Sequence, residues 1–405
     1  MKAKTDKKKI DEILTRTVEN IYPSREALEK VLHAGKRLKI YTGIDPTGPE
    51  IHLGHAVFLR KLRQFQDLGH EIILLIGDFT GMVGDPTGKY STRQVLTDKE
   101  IKKNEKDYKK QVGKILDFKS RTNPAKVMKN SAWLSKLKFK DILELCSNVT
   151  VQQMIERDMF EKRIKTGKPI SLHEFLYPIM QGYDSVAMNI DMEVGGSDQT
   201  FNMLVGRDLM KSLKKKEKFV LTTTLLTDAS GRKIGKTEGN VIAISDKPEE
   251  LYGKIMALGD EVILKMFAYC TDVSKEEIKG MAQKMSQGAN PRDYKMQLAH
   301  EIVRLYNGAA AAKKAEQHFK GLFQEKAAPS KVKVYKVADK KINIVDLLIK
   351  TKLASSKSDA RRLIEQGGVK ADGHVLEGWD VDIIPTKKGA VVQKGKRHFI
   401  KIIKK

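Results

Sequence analysis

The chain of 405 residues has little cysteine, few aromatic residues and too little acid to balance its base. Its two cysteines, Cys146 and Cys270, each lie in an apolar, helix-like segment, which favours buried thiols over a disulfide. No cysteine–histidine cluster has the spacing of a zinc site, so we assign no metal ligands. No run of 18 apolar residues is present, and the lysine-rich N-terminus lacks the apolar core of a signal peptide. We therefore expect a cytoplasmic protein without a membrane span.

Basic residues are abundant: 76 lysines and arginines stand against 51 acidic residues, a formal net charge of +25. A general enrichment in lysine would explain much of this excess. The distribution adds a second explanation, because residues 342–405 carry 14 basic and 7 acidic side chains, a denser excess than in the whole chain. A concentrated basic tail favours a polyanionic partner, of which RNA and DNA are the usual ones.

Short apolar runs alternate with helical patterns between residues 40 and 245. The pattern predicts a strand over 38–44, a helix over 54–68 and a strand over 71–76. Such alternation is typical of an α/β, Rossmann-like fold with a parallel sheet and crossover helices. Residues 100–170 are highly charged and mostly helical in pattern, as in an insertion within the fold.

The remainder of the chain divides into three further regions. Three N-cap patterns, each followed by an apolar-periodic run, predict an α-helical domain over 246–323. Residues 324–341 are polar and lysine-rich, which predicts a linker. Residues 342–405 are predicted to form a separate, small α+β domain, in which Asp372-Gly373 would form the turn of a hairpin.

The most informative segment is residues 41–55, Tyr-Thr-Gly-Ile-Asp-Pro-Thr-Gly-Pro-Glu-Ile-His-Leu-Gly-His. A strand pattern leads through a proline–glycine turn into the first turn of a helix. His52 and His55 are three residues apart and face the same way. They lie where free backbone N–H groups and the helix dipole attract anions, so the segment predicts a phosphate chain as ligand. The alternative for His55 is helix packing with a hydrogen bond to the backbone.

A second cationic segment is Gly231-Arg-Lys-Ile-Gly-Lys-Thr, in which Lys233 and Lys236 are three residues apart. By itself it is more simply an exposed loop, but together with the histidine turn it predicts a phosphate clamp. Residues 84–89, with Arg93 close behind, are also glycine-rich and contain a lysine, although they lack P-loop spacing. Turns that follow parallel strands meet at the carboxyl edge of the sheet, so these segments could share one site.

The combination of these motifs resembles the class I aminoacyl-tRNA synthetases. Asp45-Pro-Thr-Gly…His52-Leu-Gly-His55 is similar to their HIGH signature. Lys233-Ile-Gly-Lys-Thr237 is similar to their KMSKS loop, from which it departs at the middle and last positions. Within the class, the chain resembles tyrosyl-tRNA synthetases of the bacterial kind, through residues 41–45, 84–89, 177–184 and 195–199. Residues 358–363 and 366–369 resemble the S4 RNA-binding module that ends these enzymes.

The resemblance implies an activity: ATP activates L-tyrosine as tyrosyl-adenylate with release of pyrophosphate, and the tyrosyl group passes to the 3′-terminal adenosine of tRNA(Tyr). Mg²⁺ would accompany ATP, and no tightly bound cofactor is implied. The residues implied for tyrosine are Tyr41 and Asp184 at the phenol hydroxyl, Tyr177, Gln181 and Asp85 at the α-ammonium group, and Gln199 at the carboxylate. Those implied for ATP are Gly43, Asp45, Thr47, His52, Gly54, His55, Gly196, Asp198 and Lys236. The catalytic set implied is Thr47, His52, His55, Lys89, Arg93, Lys233, Lys236 and Thr237.

The resemblance also implies partners. Arg361 and Arg362 would contact RNA, although they could be no more than a solvated helix face. A homodimer would form through residues 125–185, within a catalytic domain that spans 1–245. Two alternatives stay open: a tryptophan–tRNA ligase, which shares the fold and both signatures, and a non-enzymatic RNA-binding protein on a synthetase scaffold.

Overall fold

The protein is described by a computed structural model. The structure describes residues 2–87, 96–156, 158–228, 230–231, 233, 241–323, 333–339, 341–385, 389–395 and 398–404. The chain divides into two compact units, Met1–Ala312 and Lys313–Lys405.

Nineteen α-helices and thirteen strands are found in the part of the chain that the structure describes. The helices are α1 Lys7–Thr15, α2 Arg25–His33, α3 Leu53–Asp67, α4 Thr80–Val83, α5 Asp98–Glu105, α6 Tyr108–Val112, α7 Ser131–Leu134, α8 Phe139–Cys146, α9 Val151–Ile155, α10 Asp158–Lys165, α11 Leu172–Met188, α12 Thr200–Lys214, α13 Pro248–Met256, α14 Ile263–Cys270, α15 Lys275–Ser286, α16 Pro291–Asn307, α17 Ala309–Phe323, α18 Ile344–Lys350 and α19 Lys357–Glu365. The strands are β1 Val18–Tyr22, β2 Lys39–Ile44, β3 Glu71–Ile76, β4 Lys126–Lys129, β5 Met192–Gly196, β6 Phe219–Thr223, β7 Lys333–Val337, β8 Ile342–Asn343, β9 Val369–Ala371, β10 His374–Val375, β11 Asp382–Ile383, β12 Ala390–Lys394 and β13 His398–Lys404.

The first unit is built on a six-stranded sheet of order β1-β6-β5-β2-β3-β4. All neighbours pair in parallel except β1, which runs antiparallel to β6 at the edge. The central strands β3 and β5 are almost wholly buried, as expected when helices cover both faces of a parallel sheet. The predicted α/β fold with a parallel sheet is therefore confirmed, and the predicted strand–helix–strand unit corresponds to β2, α3 and β3.

The order of the strands creates a crevice. From β2 the chain moves through β3 to β4 on one side, and it then returns to place β5 and β6 on the other side. The direction of winding thus reverses between β2 and β5. Open parallel sheets bind ligands at such a reversal, outside the carboxyl ends of the strands.

The segment expected to be a mostly helical insertion contains a strand that the sequence analysis missed. Lys126–Lys129 forms β4, the edge strand, which pairs in parallel with β3 through Ile73 and Ile76. Its sequence, Lys-Val-Met-Lys, is short and has lysines at both ends, so it carries no strong strand pattern. Its position on the edge explains this composition, because an edge strand has one neighbour only.

The helices after residue 248 pack within the same compact unit as the sheet, up to Ala312. Arg16, at the end of α1, donates hydrogen bonds to the carbonyl oxygens of Phe267, Ala268 and Thr271 at 2.8–3.1 Å. Arg60 of α3 forms an ion pair with Asp272. The unit therefore continues across residues 245 and 246, where the sequence predicts a domain boundary.

The second unit has a five-stranded sheet of order β10-β9-β12-β13-β7 and a two-stranded sheet of β11 and β8, with α18 and α19 packed on its apolar core. The predicted hairpin turn is confirmed, since Asp372 and Gly373 have φ angles of 48° and 90° between β9 and β10. Part of residues 324–341, for which the sequence predicts a linker, forms a strand. Lys333–Val337 forms β7, which gains its hydrogen bonds from the distant β13, and local sequence does not reveal such a partner.

Candidate active site

A cavity of about 420 Å³ opens at the carboxyl edge of the first unit's sheet, where the winding reverses between β2 and β5. It is lined by the end of β2 and the following turn, by the end of β5, by one face of α11 and by the start of α3. Tyr177, Gln181 and Asp184 reach it together because residues at positions i, i+4 and i+7 share one face of a helix.

The structure brings together all the predicted tyrosine, ATP and catalytic residues that it describes. Those lining the cavity are Tyr41, Gly43, Asp45, Thr47, His52, Gly54, His55, Asp85, Tyr177, Gln181, Asp184, Gly196, Asp198, Gln199 and Lys233. The other four predicted residues, Lys89, Arg93, Lys236 and Thr237, lie outside the described residues. Arg361 and Arg362 belong to the second unit.

Asp184 is a buried carboxylate at the wall of the cavity. Its Oδ1 accepts a hydrogen bond from Trp133 Nε1 at 2.7 Å, and its Oδ2 accepts one from Asn130 Nδ2 at 3.2 Å. Burial raises the pKa of Asp184 well above its ordinary value, although both donors oppose that change. Each carboxylate oxygen has two lone pairs, so Asp184 retains capacity to accept a further donor from the cavity.

Tyr41 lies near this carboxylate in the middle of β2 and is fully buried in the protein. Its hydroxyl forms a 3.0 Å hydrogen bond with Ser185 Oγ. Burial and the nearby charges of Glu193 and Asp184 raise the pKa of Tyr41 well above its ordinary value, so the phenol is neutral. Tyr41 and Asp184 thus provide a neutral hydroxyl and an acceptor at one end of the cavity.

A chain of amides lies further along the same wall. Gln199 Nε2 donates to Asp85 Oδ2 at 2.7 Å. Asn202 Nδ2 donates both to Gln199 Oε1 and to Gln181 Oε1, each at 3.0 Å. These bonds fix the orientation of two glutamines and one aspartate that the resemblance assigns to the substrate's polar groups.

Asp45 joins the strand end to α11 and α4. Its carboxylate accepts hydrogen bonds from Thr80 Oγ1 at 2.7 Å and from Tyr177 Oη at 2.8 Å. Gly77 makes room for it, since a Cβ atom at residue 77 would lie 1.9 Å from Asp45 Oδ1. Asp45, predicted for ATP, is therefore also bonded to Tyr177, which is predicted for tyrosine.

The histidine turn forms the N-terminus of α3, with His52 as the N-cap residue. The backbone N–H of His52 donates to His55 Nδ1 at 3.3 Å, and the two ring centroids are 3.8 Å apart. His55 therefore has the hydrogen bond to backbone that the alternative interpretation expects, and this bond occupies its Nδ1 atom. Both rings nevertheless line the cavity at the positive end of the helix.

Lys233 of the second cationic segment lines the same cavity as the histidine turn. It forms a bridge with Thr227, and its ammonium pairs with Asp198 Oδ2 at 2.9 Å. Residues that follow the segment bond to the histidine turn: Leu53 N–H donates to Ile242 O at 3.0 Å, and Ile244 N–H donates to Ile51 O at 2.9 Å. Lys233 and His52, about 180 residues apart in the sequence, therefore line one cavity.

Several residues of the site were missed by sequence reasoning. They are Thr80, Asn130, Trp133, Ser185, Glu193, Asn202 and Lys218. All of them except Lys218 hydrogen-bond a predicted residue, whereas Lys218 bonds to Ser185 and Glu193. None belongs to a dense motif. The one usable signal was Glu193, a charged residue inside an otherwise apolar strand.

The described residues contain neither a metal cluster nor a membrane span. Among them, no group of three histidine, cysteine or acidic side chains is placed to hold a metal ion. No helix in the same part of the chain is long and apolar enough to cross a membrane. Within it, Cys146 and Cys270 are both free thiols, the first partly exposed and the second buried.

Comparison with protein families covers nearly the whole chain. Residues 33–324 match the model described as tRNA synthetases class I (W and Y). Residues 324–402 match the tyrosine–tRNA ligase SYY-like C-terminal domain. The chain belongs to the tyrosine–tRNA ligase family. The resemblance drawn from the motifs is therefore confirmed.

Curated relatives agree over nearly their full length. The tyrosine–tRNA ligase of Thermotoga maritima is 45% identical over 392 residues, which are 96% of each chain. That of Photobacterium profundum is 46% identical over 392 residues, covering 96% of this chain and 97% of the relative. These matches favour the tyrosine interpretation over a tryptophan enzyme or a non-enzymatic RNA-binding protein.

Solved structures support the fold. A C-terminally truncated mitochondrial tyrosyl-tRNA synthetase of Coccidioides posadasii matches with a TM-score of 0.63 at 25% identity, covering 76% of this chain and 90% of that one. The Archaeoglobus fulgidus tyrosyl-tRNA synthetase complexed with L-tyrosine matches with a TM-score of 0.59 at 23% identity, covering 76% and 99%.

Proposed function

We propose that this chain joins L-tyrosine to tRNA(Tyr) in two steps within the cavity. In the first, the tyrosine carboxylate attacks the α-phosphorus of ATP, forming tyrosyl-adenylate and releasing pyrophosphate. In the second, a hydroxyl of the 3′-terminal adenosine of the tRNA attacks the tyrosyl carbonyl and AMP leaves. The observation that carries the proposal is the buried Asp184 carboxylate, held by Trp133 and Asn130 with acceptor capacity towards the cavity.

Recognition of tyrosine would depend on the phenol. Its hydroxyl would donate to Asp184 and contact Tyr41, and phenylalanine would leave the buried carboxylate without this donor. The α-ammonium group would lie against Asp85, Tyr177 and Gln181. A cation suits the Asp85 carboxylate, and Asp85 is already oriented by Gln199, which would lie near the substrate carboxylate.

ATP would occupy the end of the cavity away from Asp184 and Tyr41. The space beside Gly43 is open, because a Cβ atom at this residue would contact only Leu75, at 4.0 Å. The nucleotide could therefore approach the Gly43 backbone. Thr47, His52, Gly54 and His55 would hold the phosphates at the N-terminus of α3. The remainder of the nucleotide would contact Asp45, Gly196 and Asp198, the last near the ribose.

Cations would supply the catalysis. A carboxylate nucleophile is already ionised at neutral pH, so the first step needs no general base. Catalysis would then come from positioning the two substrates and from stabilising the negative charge that grows on the phosphates. Lys233 and Lys236 would close over the pyrophosphate, with Thr237, Lys89 and Arg93 in support. Lys233 pairs with Asp198 at 2.9 Å, and it would exchange this carboxylate for phosphate.

Mg²⁺ would arrive as part of the ATP substrate. Mg²⁺ keeps several waters and commonly binds substrate phosphates, so the ATP phosphates would be its main ligands.

The second unit would bind the tRNA. The Arg361 guanidinium lies 4.6 Å from the centroid of the Trp379 ring, whose exposed face could stack on a base. Arg362 pairs with Asp359 at 2.8 Å and would contribute charge near the phosphates. The affinity for tRNA should fall less steeply with rising salt in the Arg362→Ala variant, because one phosphate contact is lost.

A homodimer would form through residues 125–185, within the catalytic domain predicted over 1–245. Five exposed apolar side chains support this, namely Phe139, Leu143, Val151, Ile164 and Leu172. Sedimentation should show a dimer that Leu172→Glu weakens, whereas Val375→Glu, an exposed residue of the second unit, should have no effect. The protein would act in the cytoplasm, where tRNA is charged for the ribosome.

The decisive experiment is pyrophosphate exchange with each of the twenty amino acids. We expect exchange with tyrosine alone. Exchange with tryptophan and not with tyrosine would establish a tryptophan–tRNA ligase. Binding of RNA without any exchange would establish a non-enzymatic RNA-binding protein.

A further inference from the structure

Lys218 lies behind the tyrosine end of the cavity, immediately before β6, and its side chain is fully buried. Its ammonium group forms an ion pair with Glu193. It also donates to Ser185 Oγ at 2.8 Å and to Met203 O at 3.2 Å. The three N–H donors of a lysine thus have three acceptors.

The surrounding helices leave a space that fits this ammonium group. At residue 206, in α12, a Cβ atom would lie 2.6 Å from Lys218 Nζ and 3.1 Å from Ser185 Oγ. At residue 182, in α11, a Cβ atom would lie 3.1 Å from the backbone nitrogen of Gly206. Two glycines therefore allow α11 and α12 to approach closely while leaving room for Nζ.

One branch of contacts leads from Lys218 to the phenol end. Ser185, which accepts from Lys218, bonds to the Tyr41 hydroxyl at 3.0 Å. The ammonium also lies 5.8 Å from the centroid of the Tyr41 ring. Because Lys218 occupies a lone pair of Ser185 Oγ, it helps to fix the direction of the Ser185 and Tyr41 hydroxyl hydrogens.

The other branch leads to the α-ammonium end. Glu193 Oε1 accepts a hydrogen bond from Gln181 Nε2 at 3.1 Å. The oxygen of Gln181 accepts from Asn202, which also donates to Gln199, and Gln199 donates to Asp85. Gln181 and Gln199 each have a partner for the nitrogen and for the oxygen, so both amides are fixed in orientation.

Lys218 fixes the orientation of the Gln181 amide through Glu193. The Glu193 carboxylate accepts from Lys218 Nζ as well as from Gln181 Nε2, so Gln181 turns its nitrogen towards Glu193. Without the Lys218 donor, the Glu193 side chain loses this anchor, and the Gln181 amide can turn. Stability gives no reason for a buried ion pair here, since an apolar pair of similar volume is often as stable or more stable.

We propose that Lys218 is a positioning residue for tyrosine, acting through Ser185 on Tyr41 and through Glu193 on Gln181. This proposal rests on the proposed function, because it concerns the orientation of the groups that would hold that substrate. Lys218 touches no substrate in this arrangement. It determines which atoms Tyr41 and Gln181 present to the cavity.

The test compares Lys218→Met with Lys61→Met in pyrophosphate exchange. Met preserves most of the length of the side chain and removes its charge. Lys61 is a matched control, since it is also buried and bonded to carbonyl oxygens, those of Ile13 and Arg16, away from the cavity. We expect Lys218→Met to raise the KM for tyrosine about 10- to 100-fold, with the KM for ATP within about twofold. Lys61→Met should change neither KM.

The double variant Lys218→Met/Glu193→Gln separates positioning from stability. It leaves no unpaired charge, so its melting temperature should exceed that of Lys218→Met. The introduced glutamine can donate as well as accept, so the KM for tyrosine should stay raised. If the double variant recovered a normal KM for tyrosine together with its stability, the proposal would be overturned. A normal KM for tyrosine in folded Lys218→Met would overturn it as well. If Lys218→Met does not fold, the double variant alone decides by its KM. Wild-type protein without tyrosine-dependent exchange would instead refute the proposed function.

Discussion

The two ends of the cavity are built differently. At the proposed tyrosine end, buried side chains are bonded to one another: Asp184 to Trp133 and Asn130, and Tyr41 to Ser185. At the proposed nucleotide end, glycine backbone, a helix N-terminus and a partly exposed Lys233–Asp198 ion pair line the cavity. A fixed set of donors and acceptors can discriminate between similar side chains. An open end with an exchangeable lysine can admit a large anion and then contact it.

This difference means that substitutions at the two ends should affect different kinetic constants. Changes at the buried end should weaken tyrosine binding and leave ATP binding unchanged. Changes at the open end should do the reverse or should slow the chemical step.

The largest expected effect is that of Asp184→Ala. We expect tyrosine-dependent exchange to fall about 1000-fold or more, because the substrate phenol loses its acceptor while Trp133 and Asn130 lose theirs. Far-UV circular dichroism and ATP binding should remain normal. Glu71→Gln, a carboxylate at the opposite edge of the sheet, is the control and should exchange normally. Normal exchange in Asp184→Ala would refute the assignment of the phenol site.

Lys233→Met should have the next largest effect. Loss of one cation from the developing phosphate charge should lower kcat for adenylate formation about 100- to 1000-fold. Binding of tyrosine, measured by calorimetry without ATP, should be unchanged, because the lysine lies at the other end. A weakened affinity for tyrosine in this variant would show that the two ends are not independent.

A smaller effect is expected from a graded series at Gly43. This glycine lies in β2, and the space beside it is open to the cavity. Gly43→Ala should raise the KM for ATP slightly, and Gly43→Val should raise it about 10-fold, because bulk replaces the space for the nucleotide. The KM for tyrosine should stay constant in both. Equal changes in both constants would contradict the division between the ends.

The smallest effect concerns the scaffold that both ends share. Burial lowers the pKa of His70 from 6.5 to about 4, and its Nδ1 accepts a hydrogen bond from the Leu38 N–H at 3.1 Å. The unfolded chain therefore takes up this proton first as the pH falls. The free energy of unfolding should decrease by about 2 kcal/mol between pH 7 and pH 5, the part due to His70.

Denaturation of His70→Gln measures this part by difference. The glutamine oxygen can still accept the Leu38 N–H, so the variant should fold and should lose less stability between pH 7 and pH 5 than the wild type. An equal loss in both proteins would assign the acid sensitivity to other groups. With this correction, the pH dependence of either KM can be separated from unfolding.

Residues that act in dense local motifs were predictable from the sequence. Phosphate chemistry concentrates histidines, glycines and lysines at turns, so the residues around His52 and Lys233 were found. The strand Lys126–Lys129 and the strand Lys333–Val337 were missed, because both owe their hydrogen bonds to partners far away in the chain. Trp133, Asn202 and Lys218 were missed for a related reason, as each reaches the site from a separate element and belongs to no motif.

The sequence by itself determined the class of fold, the two phosphate motifs and the family, because hydrophobic periodicity and turn chemistry are local properties. The hairpin at Asp372-Gly373 and the helix N-terminus at His52 follow from the same local rules. Only the tertiary structure decided that Lys218 meets Glu193 beneath Tyr41, and that Asp184 has two donors from a different segment. Those contacts depend on how β6, α11 and α12 pack, and packing brings together residues whose spacing in the sequence carries no pattern.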